Sequence, residues 1–251
     1  MEMISLKSPR EIEHMRRAGR ITAAARALAG KLVKPGVTTL EIDHAVRKFI
    51  EGQGATPSFL GYAGYPGSAC ISVNDEVIHG IPGGKVIREG DIVSIDVGAK
   101  IGGYHGDSAY TFPCGRISDG AQSLLDATKL ALEKGIAAAQ PGSRIGDVAH
   151  AVQSTVEPLG FSVVREYVGH GVGRDLHEEP EVPNFGHAGH GIRLVPGMVI
   201  AIEPMINAGA FAVKVLGNDW TVVTRDGSLS AHFEHTVAIT PGGPVILTAL
   251  P

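Results

Sequence analysis

An internal repeat is the feature of this sequence that most constrains how the chain can fold. Pro35-Gly36, residues 43–46 and Gly54 recur about 106 residues later as Pro141-Gly142, residues 149–152 and Gly160. Residues 89–96 likewise resemble residues 196–203, and in both segments a carboxylate stands six positions after a glycine. Four such matches in the same order favour related halves over chance. We therefore expect one domain over residues 1–251, with halves at about 1–113 and 114–251 and a site between them.

Helix start signals open both halves. Ser8, Pro9 and Glu11 form an N-cap, a first-position proline and a capping-box glutamate, which predict a helix to Gly30. The second helix begins at Thr38 and ends near residues 52–54, and two more cover about 120–139 and 143–157. Strands are predicted at 69–73, 92–99, 103–112, 162–167, 198–205, 220–224 and 230–239, with the turn at 225–228 joining the last two. The expected fold class is α+β, a curved and mainly antiparallel sheet backed by helices.

Composition excludes several classes of protein. The chain has 251 residues, 43% hydrophobic and 19% charged, which excludes a disordered chain. A net charge of −4 gives no reason to expect nucleic-acid readout. Two cysteines cannot form a disulfide framework or a four-thiolate zinc site. The N-terminal segment does not resemble a signal peptide and no apolar run reaches membrane length, so we expect a cytoplasmic protein without membrane contact.

Two aspartates flank a predicted hairpin. Asp96 ends the strand-like run before a turn signal, and Asp107 follows that turn. If the turn centres on Ile101-Gly102, the two carboxylates lie directly opposite each other. Like charges at that separation repel, and a divalent cation would remove the repulsion. The alternative is a pair of ordinary surface acids.

Three further polar residues interrupt apolar or glycine-rich segments. Glu203 follows the apolar run 199–202, where an unpaired carboxylate is costly, and Pro204 then ends or bends the strand. A buried ion pair, for instance with an arginine, is the alternative for Glu203. Glu234 lies on a strand whose alternation puts His232 and Thr236 on the same face. His170 and His177 share a glycine-rich segment whose backbone can approach a ligand closely.

The donor set predicts a metal site. Four carboxylates and one imidazole without a thiolate favour Mn²⁺, Fe²⁺, Co²⁺ or Zn²⁺ over a structural zinc. They are enough for two ions, and the chemistry that such a site most directly implies is metal-assisted hydrolysis. The predicted ligands are Asp96, Asp107, His170, Glu203 and Glu234.

These residues, in their order and context, resemble the type I methionine aminopeptidases. The supporting segments are NDEVIHGIP at 74–82, HGD at 105–107, GHGVG at 169–173, LHEEP at 176–180 and IEPM at 202–205. The resemblance implies the pseudo-two-fold "pita-bread" fold and removal of the initiator Met from nascent proteins. It also implies the bacterial type, since the chain begins close to the first catalytic helix and lacks an N-terminal zinc-binding extension.

The resemblance implies a role for each site residue. Asp96, Asp107 and Glu234 would hold one metal, and Asp107 and Glu234 would bridge to a second, held also by His170 and Glu203. Glu203 would also shuttle a proton. His177 would stabilise the tetrahedral intermediate or position the scissile amide. His79 would be catalytic as well, since it would contact the substrate and help to stabilise the transition state. A monovalent cation near Asn74 and Ser230 is a further expectation.

The resemblance also implies an apolar methionine pocket, formed by Phe59, Tyr62, Tyr65, Cys70, Leu176 and Trp220. Taken alone, a sparse aromatic set of this kind is more often part of a protein core, and the sequence cannot separate the two interpretations. Phe59 stands where Cys is common in the family, Ala63 replaces a frequent His and Leu176 a frequent Phe, which leaves the fit of the pocket open. Expected partners are nascent N-termini and the ribosome, and a monomer is expected. The alternatives are a proline-specific aminopeptidase or dipeptidase of the same fold, and a non-catalytic binding homologue.

Overall fold

The computed structural model describes residues 4–250, which form four α-helices and fifteen strands. Residues 1–3 and 251 lie outside the described residues. The predicted domain includes all of them, and the N-terminal segment that does not resemble a signal peptide includes residues 1–3. The helices are α1 (Pro9–Leu32), α2 (Thr39–Gly52), α3 (Asp119–Ala138) and α4 (Ile145–Val156). The strands are β1 (Thr56–Pro57), β2 (Ala69–Val73), β3 (Glu76–Ile78), β4 (Ile92–Ile101), β5 (Tyr104–Pro113), β6 (Ser162–Val163), β7 (Gly169–Gly171), β8 (Glu178–Val182), β9 (Val199–Ile202), β10 (Met205–Asn207), β11 (Val213–Val215), β12 (Val222–Thr224), β13 (Ser230–His232), β14 (His235–Thr240) and β15 (Gly243–Ile246).

The predicted capping signals start both helices of the first half. The Ser8 hydroxyl accepts a hydrogen bond from the Glu11 N–H, and the Glu11 carboxylate accepts one from the Ser8 N–H at 2.9 Å. Thr38 and Glu41 repeat this capping box at the start of α2. Each box satisfies amide groups that a helix end leaves without a partner. No helix within residues 4–250 combines the length and the apolar character needed to cross a bilayer.

All strand pairs among the described residues are antiparallel. In the first sheet β4 pairs with β1 and β2 along one edge and with β5 along the other. The second sheet has the order β15-β14-β9-β7-β8, and smaller sheets have the orders β13-β10-β6 and β11-β12-β3. Helices α1 and α2 pack on the first sheet and α3 and α4 on the second, each pair over its own buried cluster.

The β4–β5 hairpin has a different register from the predicted one. Its turn is Gly102-Gly103, with φ of 61° and 83°, so Asp107 lies opposite Gly98 and Asp96 opposite Ala109. A two-residue hairpin turn of this type needs positive φ at both central positions, which two glycines supply without strain. The aspartates therefore lie diagonally, two positions apart on one face of the sheet, and the expectation of directly opposed carboxylates was wrong.

Three predicted strands also differ from the observed ones. The segment 162–167 is strand only at β6, and Pro204 separates β9 from β10 as expected of a proline that ends a strand. The segment 230–239 is interrupted at 233–234, so the expectation that Glu234 lies on a strand was wrong. The hairpin across 225–228 was also wrong, because β12 pairs with β3 and β11 while β13 pairs with β10. Partners distant in sequence replace the local pairing.

The two halves meet where β5 contacts the segment 234–236. Asp107 N–H donates to the Thr236 hydroxyl at 3.0 Å, that hydroxyl donates to the Asp107 carbonyl oxygen at 2.7 Å, and Glu234 N–H donates to the Ala109 carbonyl oxygen at 2.9 Å. Corresponding turns make similar contacts in each half. Gly36 N–H donates to Ile87 at 2.9 Å and Gly142 N–H to Leu194 at 2.8 Å. These paired contacts support the proposal that the halves are related.

Candidate functional site

A cavity of about 230 Å³ lies at this meeting of the halves. Every residue predicted as a ligand, catalytic group or pocket residue lines it: Asp96, Asp107, His170, Glu203, Glu234, His79, His177, Phe59, Tyr62, Tyr65, Cys70, Leu176 and Trp220. Ile78, Tyr167 and Val168 also line it and were not predicted, since as isolated apolar or aromatic residues they carry no signal in the sequence. The cavity thus joins a polar group of side chains to an apolar one.

The five candidate ligands lie in five different places, each on a strand or directly beside one. Asp96 and Asp107 lie on β4 and β5 of the first half. His170 is the middle residue of β7, and Glu203 follows the last residue of β9. Glu234 lies in the interruption between β13 and β14. Both halves therefore contribute candidate ligands to one place.

Three of these side chains are close enough to share one ion. Asp107, His170 and Glu234 each offer one ligand atom, and the three atoms lie within 4.8 Å of one another. His170 Nε2 lies 3.8 Å from Asp107 Oδ2 and 3.5 Å from Glu203 Oε1. His170 Nδ1–H donates to the Gly171 carbonyl oxygen at 2.8 Å, which leaves the Nε2 lone pair facing the carboxylates.

Burial controls the protonation of this cluster. It raises the pKa of Asp96 to about 6 and that of Glu203 to about 8, and it raises the pKa values of Asp107 and Glu234 well above the usual range. Burial also lowers the pKa of His170 to about 3, so its imidazole is neutral. No lysine or arginine lines the cavity among the described residues. Glu203 therefore holds its proton at neutral pH unless a cation compensates its charge, whereas Asp96 is already mostly ionised.

The residues present fit divalent cations. Asp96 Oδ1, Asp107 Oδ1 and Glu234 Oε1 are buried and have no hydrogen-bond partner among the described residues. Buried oxygens without a donor are energetically unfavourable, and coordination of a cation would satisfy them. A neutral imidazole and several carboxylates form a donor set suited to Mn²⁺, Fe²⁺, Co²⁺ and Zn²⁺.

The surroundings of Glu203 do not match the alternative of a buried ion pair with an arginine. Within the described part of the chain its ionisable neighbours are His170 and His232 rather than an arginine, so the alternative of a buried Arg–Glu pair was wrong. His232 Nε2 lies 3.6 Å from Glu203 Oε2 and has no hydrogen-bond partner among residues 4–250. Sequence reasoning gave His232 no role. The only signal was its place two residues before Glu234.

The apolar part of the cavity is a compact cluster. Phe59, Tyr65, Cys70 and Leu176 are buried together, with Trp220 packed against them. The Tyr65 hydroxyl donates to the Gly80 carbonyl oxygen at 2.8 Å, and its ring meets the Trp220 ring edge-on with centroids 5.0 Å apart. The phenol group is therefore satisfied while the ring presents an apolar wall.

Two histidines stand between the polar and apolar parts. His79 has a left-handed backbone, with φ of 57°, and burial lowers the pKa of its imidazole to about 4. The His177 ring lies 4.1 Å from the His170 ring between centroids. His177 Nδ1 lies 2.7 Å from the hydroxyl oxygen of Tyr62, which is 42% exposed at the rim of the cavity. Both imidazoles border the space next to the carboxylates.

Known proteins are similar to this chain in sequence and in fold. The sequence model of metallopeptidase family M24 matches residues 13–241. Methionine aminopeptidase 1 of Bacillus subtilis is 56% identical over 246 residues, which cover 98% of this chain and 99% of that protein. The crystal structure of methionine aminopeptidase from Thermotoga maritima has a TM-score of 0.97 and 48% identity, over 98% and 99% of the two chains.

More distant structures share the fold alone. The prolidase from Pyrococcus horikoshii has a TM-score of 0.81 at 24% identity, with 99% of this chain matching 65% of that one. Together with the M24 match, these likenesses confirm the α+β "pita-bread" fold class expected from the resemblance.

Proposed function

Since the chain belongs to metallopeptidase family M24, we propose that it is a methionine aminopeptidase, which removes the N-terminal Met of nascent proteins by metal-dependent hydrolysis. One observation carries the proposal: a single cavity joins five metal-ligand side chains to a buried apolar pocket. Relatives of the same length that bear this name, at 56% and 52% identity, support it.

Divalent cations held by Asp96, Asp107, His170, Glu203 and Glu234 would lower the pKa of a water molecule and polarise the scissile carbonyl. The apolar cluster would bind the methionine side chain, because burial of its methylene and thioether groups is favourable. The free α-amine of the substrate would lie beside the cations that these carboxylates hold, which would restrict cleavage to the first residue.

Glu203 would take the proton of the attacking water and return it to the leaving amine nitrogen. Its support is geometric: the carboxylate lines the cavity, with an imidazole within 3.6 Å of each of its oxygens. His177 would orient the scissile amide or stabilise the oxyanion, and His79 would contact the substrate backbone.

Finer assignments belong to the same proposal. The number of ions is two, and their identity is one of Co²⁺, Mn²⁺, Fe²⁺ or Zn²⁺. A monovalent cation would lie near Asn74 and Ser230, which are joined by a hydrogen bond from Ser230 N–H to the Asn74 carbonyl oxygen at 2.9 Å. A substrate class of nascent chains implies a cytoplasmic enzyme that contacts the ribosome, and we propose that it acts as a monomer.

The test is release of free Met from Met-Ala-Ser after chelation and separate addition of each of the four ions. The expected result is metal-restored cleavage of this peptide and none of its N-acetylated form. Glu203→Gln should abolish turnover while circular dichroism shows an unchanged fold. Cleavage of an Ala-Pro peptide instead would favour a proline-specific enzyme, and no metal binding would favour the non-catalytic homologue.

A further inference from the structure

A buried lysine lies close to the site but belongs to none of its motifs. The side chain of Lys7 is 3% exposed, and its Nζ lies 2.5 Å from Glu178 Oε2 and 3.0 Å from the Ser5 carbonyl oxygen. The Lys7 N–H donates to the Gly197 carbonyl oxygen at 2.7 Å. The ammonium group is thus bound to Glu178 and to the segment before α1, while the Lys7 backbone is bound to the turn before β9. A lysine is rarely buried unless it is paired.

The other oxygen of Glu178 holds the loop between β7 and β8. Oε1 accepts hydrogen bonds from the Arg174 N–H at 2.8 Å and the Asp175 N–H at 3.3 Å. Gly173 leaves room for this carboxylate, since a Cβ at that position would lie 2.2 Å from it. The Glu178 carboxylate therefore connects the Lys7 ammonium group to the backbone of the 172–177 loop.

That loop carries two residues of the site. Leu176 is a wall of the apolar pocket, and His177 borders the carboxylates. Lys7, Glu178 and His177 also line one further cavity, of about 380 Å³, on the other side of the loop. A shift of the loop would move the His177 imidazole relative to His170, whose ring centroid is 4.1 Å away. Displacements of this kind strongly affect rates.

We propose that Lys7 is a positioning residue for the reaction. Through Glu178 it holds the 172–177 loop in place, and it thereby keeps His177 at its position beside the candidate ligand cluster. This inference rests on the proposed function. Lys7 touches no reacting atom and acts through another side chain.

The test is a double-mutant cycle between Lys7→Met and His177→Ala, assayed on Met-Ala-Ser with the active ion. Lys7→Met should lower kcat about tenfold with a smaller change in KM, and in the His177→Ala background it should lower kcat less than about twofold. Hydrogen exchange of the amides at 174 and 175 should become faster in Lys7→Met. Equal losses of kcat in both backgrounds, or unchanged exchange, would overturn the proposal.

Two controls separate positioning from general destabilisation. Val46→Ala, in the buried face of α2, should lower the thermal midpoint while kcat and loop exchange stay unchanged. Lys7→Met combined with Glu178→Gln removes both charges, so stability should return while kcat stays low. Recovery of kcat with stability would show that Lys7 only neutralises Glu178, which contradicts the proposal. If the wild-type protein releases no Met with any ion, the proposed function fails, and the exchange measurement still tests the loop.

Discussion

His232 Nε2 lies 3.6 Å from Oε2 of Glu203, and both side chains are buried within the molecule. This separation is longer than a hydrogen bond but within reach of one on a small movement. Catalytic hydrogen bonds commonly shorten once substrate is bound. The pair therefore makes His232 a candidate donor to the carboxylate proposed to carry the proton.

Replacement of that donor should slow the reaction. His232→Leu should lower kcat about tenfold, ~1.4 kcal/mol, because Glu203 loses the imidazole beside one of its oxygens. Steady-state kinetics on Met-Ala-Ser, with metal content measured in parallel, would check this. His232→Gln keeps an N–H donor and should retain most activity, and His150→Leu, at an exposed position of α4, is the matched control. A wild-type kcat in His232→Leu would show that the imidazole has no part in the reaction.

Metal binding should depend on pH. Burial raises the pKa of Glu203 to about 8 and that of Asp96 to about 6, so the metal-free site holds protons at neutral pH. Because cations bind the deprotonated ligands, Mn²⁺ affinity should rise as pH increases from about 6 to about 8, with release of protons. Calorimetry in two buffers of different ionisation enthalpy measures both quantities. Affinity independent of pH would contradict the expected protonation.

The same shifts predict how the metal-free protein responds to pH. The Glu203 pKa is raised from 4.5 to about 8, so between these values the folded state binds more protons than the unfolded state. The contribution of Glu203 to the free energy of unfolding is therefore fully present below about pH 4.5 and is lost as the pH rises toward 8. Denaturation of the chelated protein across this range should show the decline, and saturating Mn²⁺ should reduce it. Equal stability of the chelated protein at about pH 4.5 and about pH 8 would contradict the raised pKa of Glu203.

Truncation of the apolar pocket should affect substrate discrimination. Leu176→Ala should lower kcat/KM for Met-Ala-Ser roughly 10- to 200-fold, because Leu176 is a fully buried wall of the cavity. This loss corresponds to about 1–3 kcal/mol of transition-state binding free energy. Leu124→Ala removes an equally buried leucine from α3, away from the cavity, and should affect stability alone. If both variants lose the same activity, Leu176 contributes to folding and not to recognition.

A glycine on β5 should be essential for helix packing. A Cβ at Gly106 would lie 2.7 Å from the Gly19 nitrogen of α1, so Gly106→Ala should lower the free energy of unfolding by about 1–3 kcal/mol. Gly120, in the first turn of α3, has open space around it. Gly120→Ala should leave stability unchanged or raise it by up to about 1 kcal/mol. Chemical denaturation compares the two, and equal effects would rule out close backbone packing as the cause.

Local signals predicted much of this structure. The capping boxes at Ser8 and Thr38 placed both N-termini of the first helices, since a cap depends on residues within one turn. Likewise Pro204 marked the end of β9 because it lacks a backbone donor. Polar side chains in apolar runs, such as Glu203, indicated the site because burial of an unpaired carboxylate is unfavourable unless a ligand compensates it.

The register of Asp96 and Asp107 was missed although its cause is local, because the turn needs positive φ at both central positions, which Gly102-Gly103 supplies and Ile101 would resist. Other features depended on residues distant in sequence, and only the tertiary structure decided them. Strand β12 pairs with β3 rather than with the adjacent β13, because strands brought alongside by the fold offer the pairing surface.

The sequence alone thus determined the elements, the kind of donor set and the family that it resembles. The fold decided which side chains meet. The contact of His232 with Glu203 and that of Lys7 with Glu178, 171 positions along the chain, leave no local pattern. The physical reason is that capping and burial depend on a residue's immediate neighbours, whereas side-chain proximity depends on the packing of both halves at once.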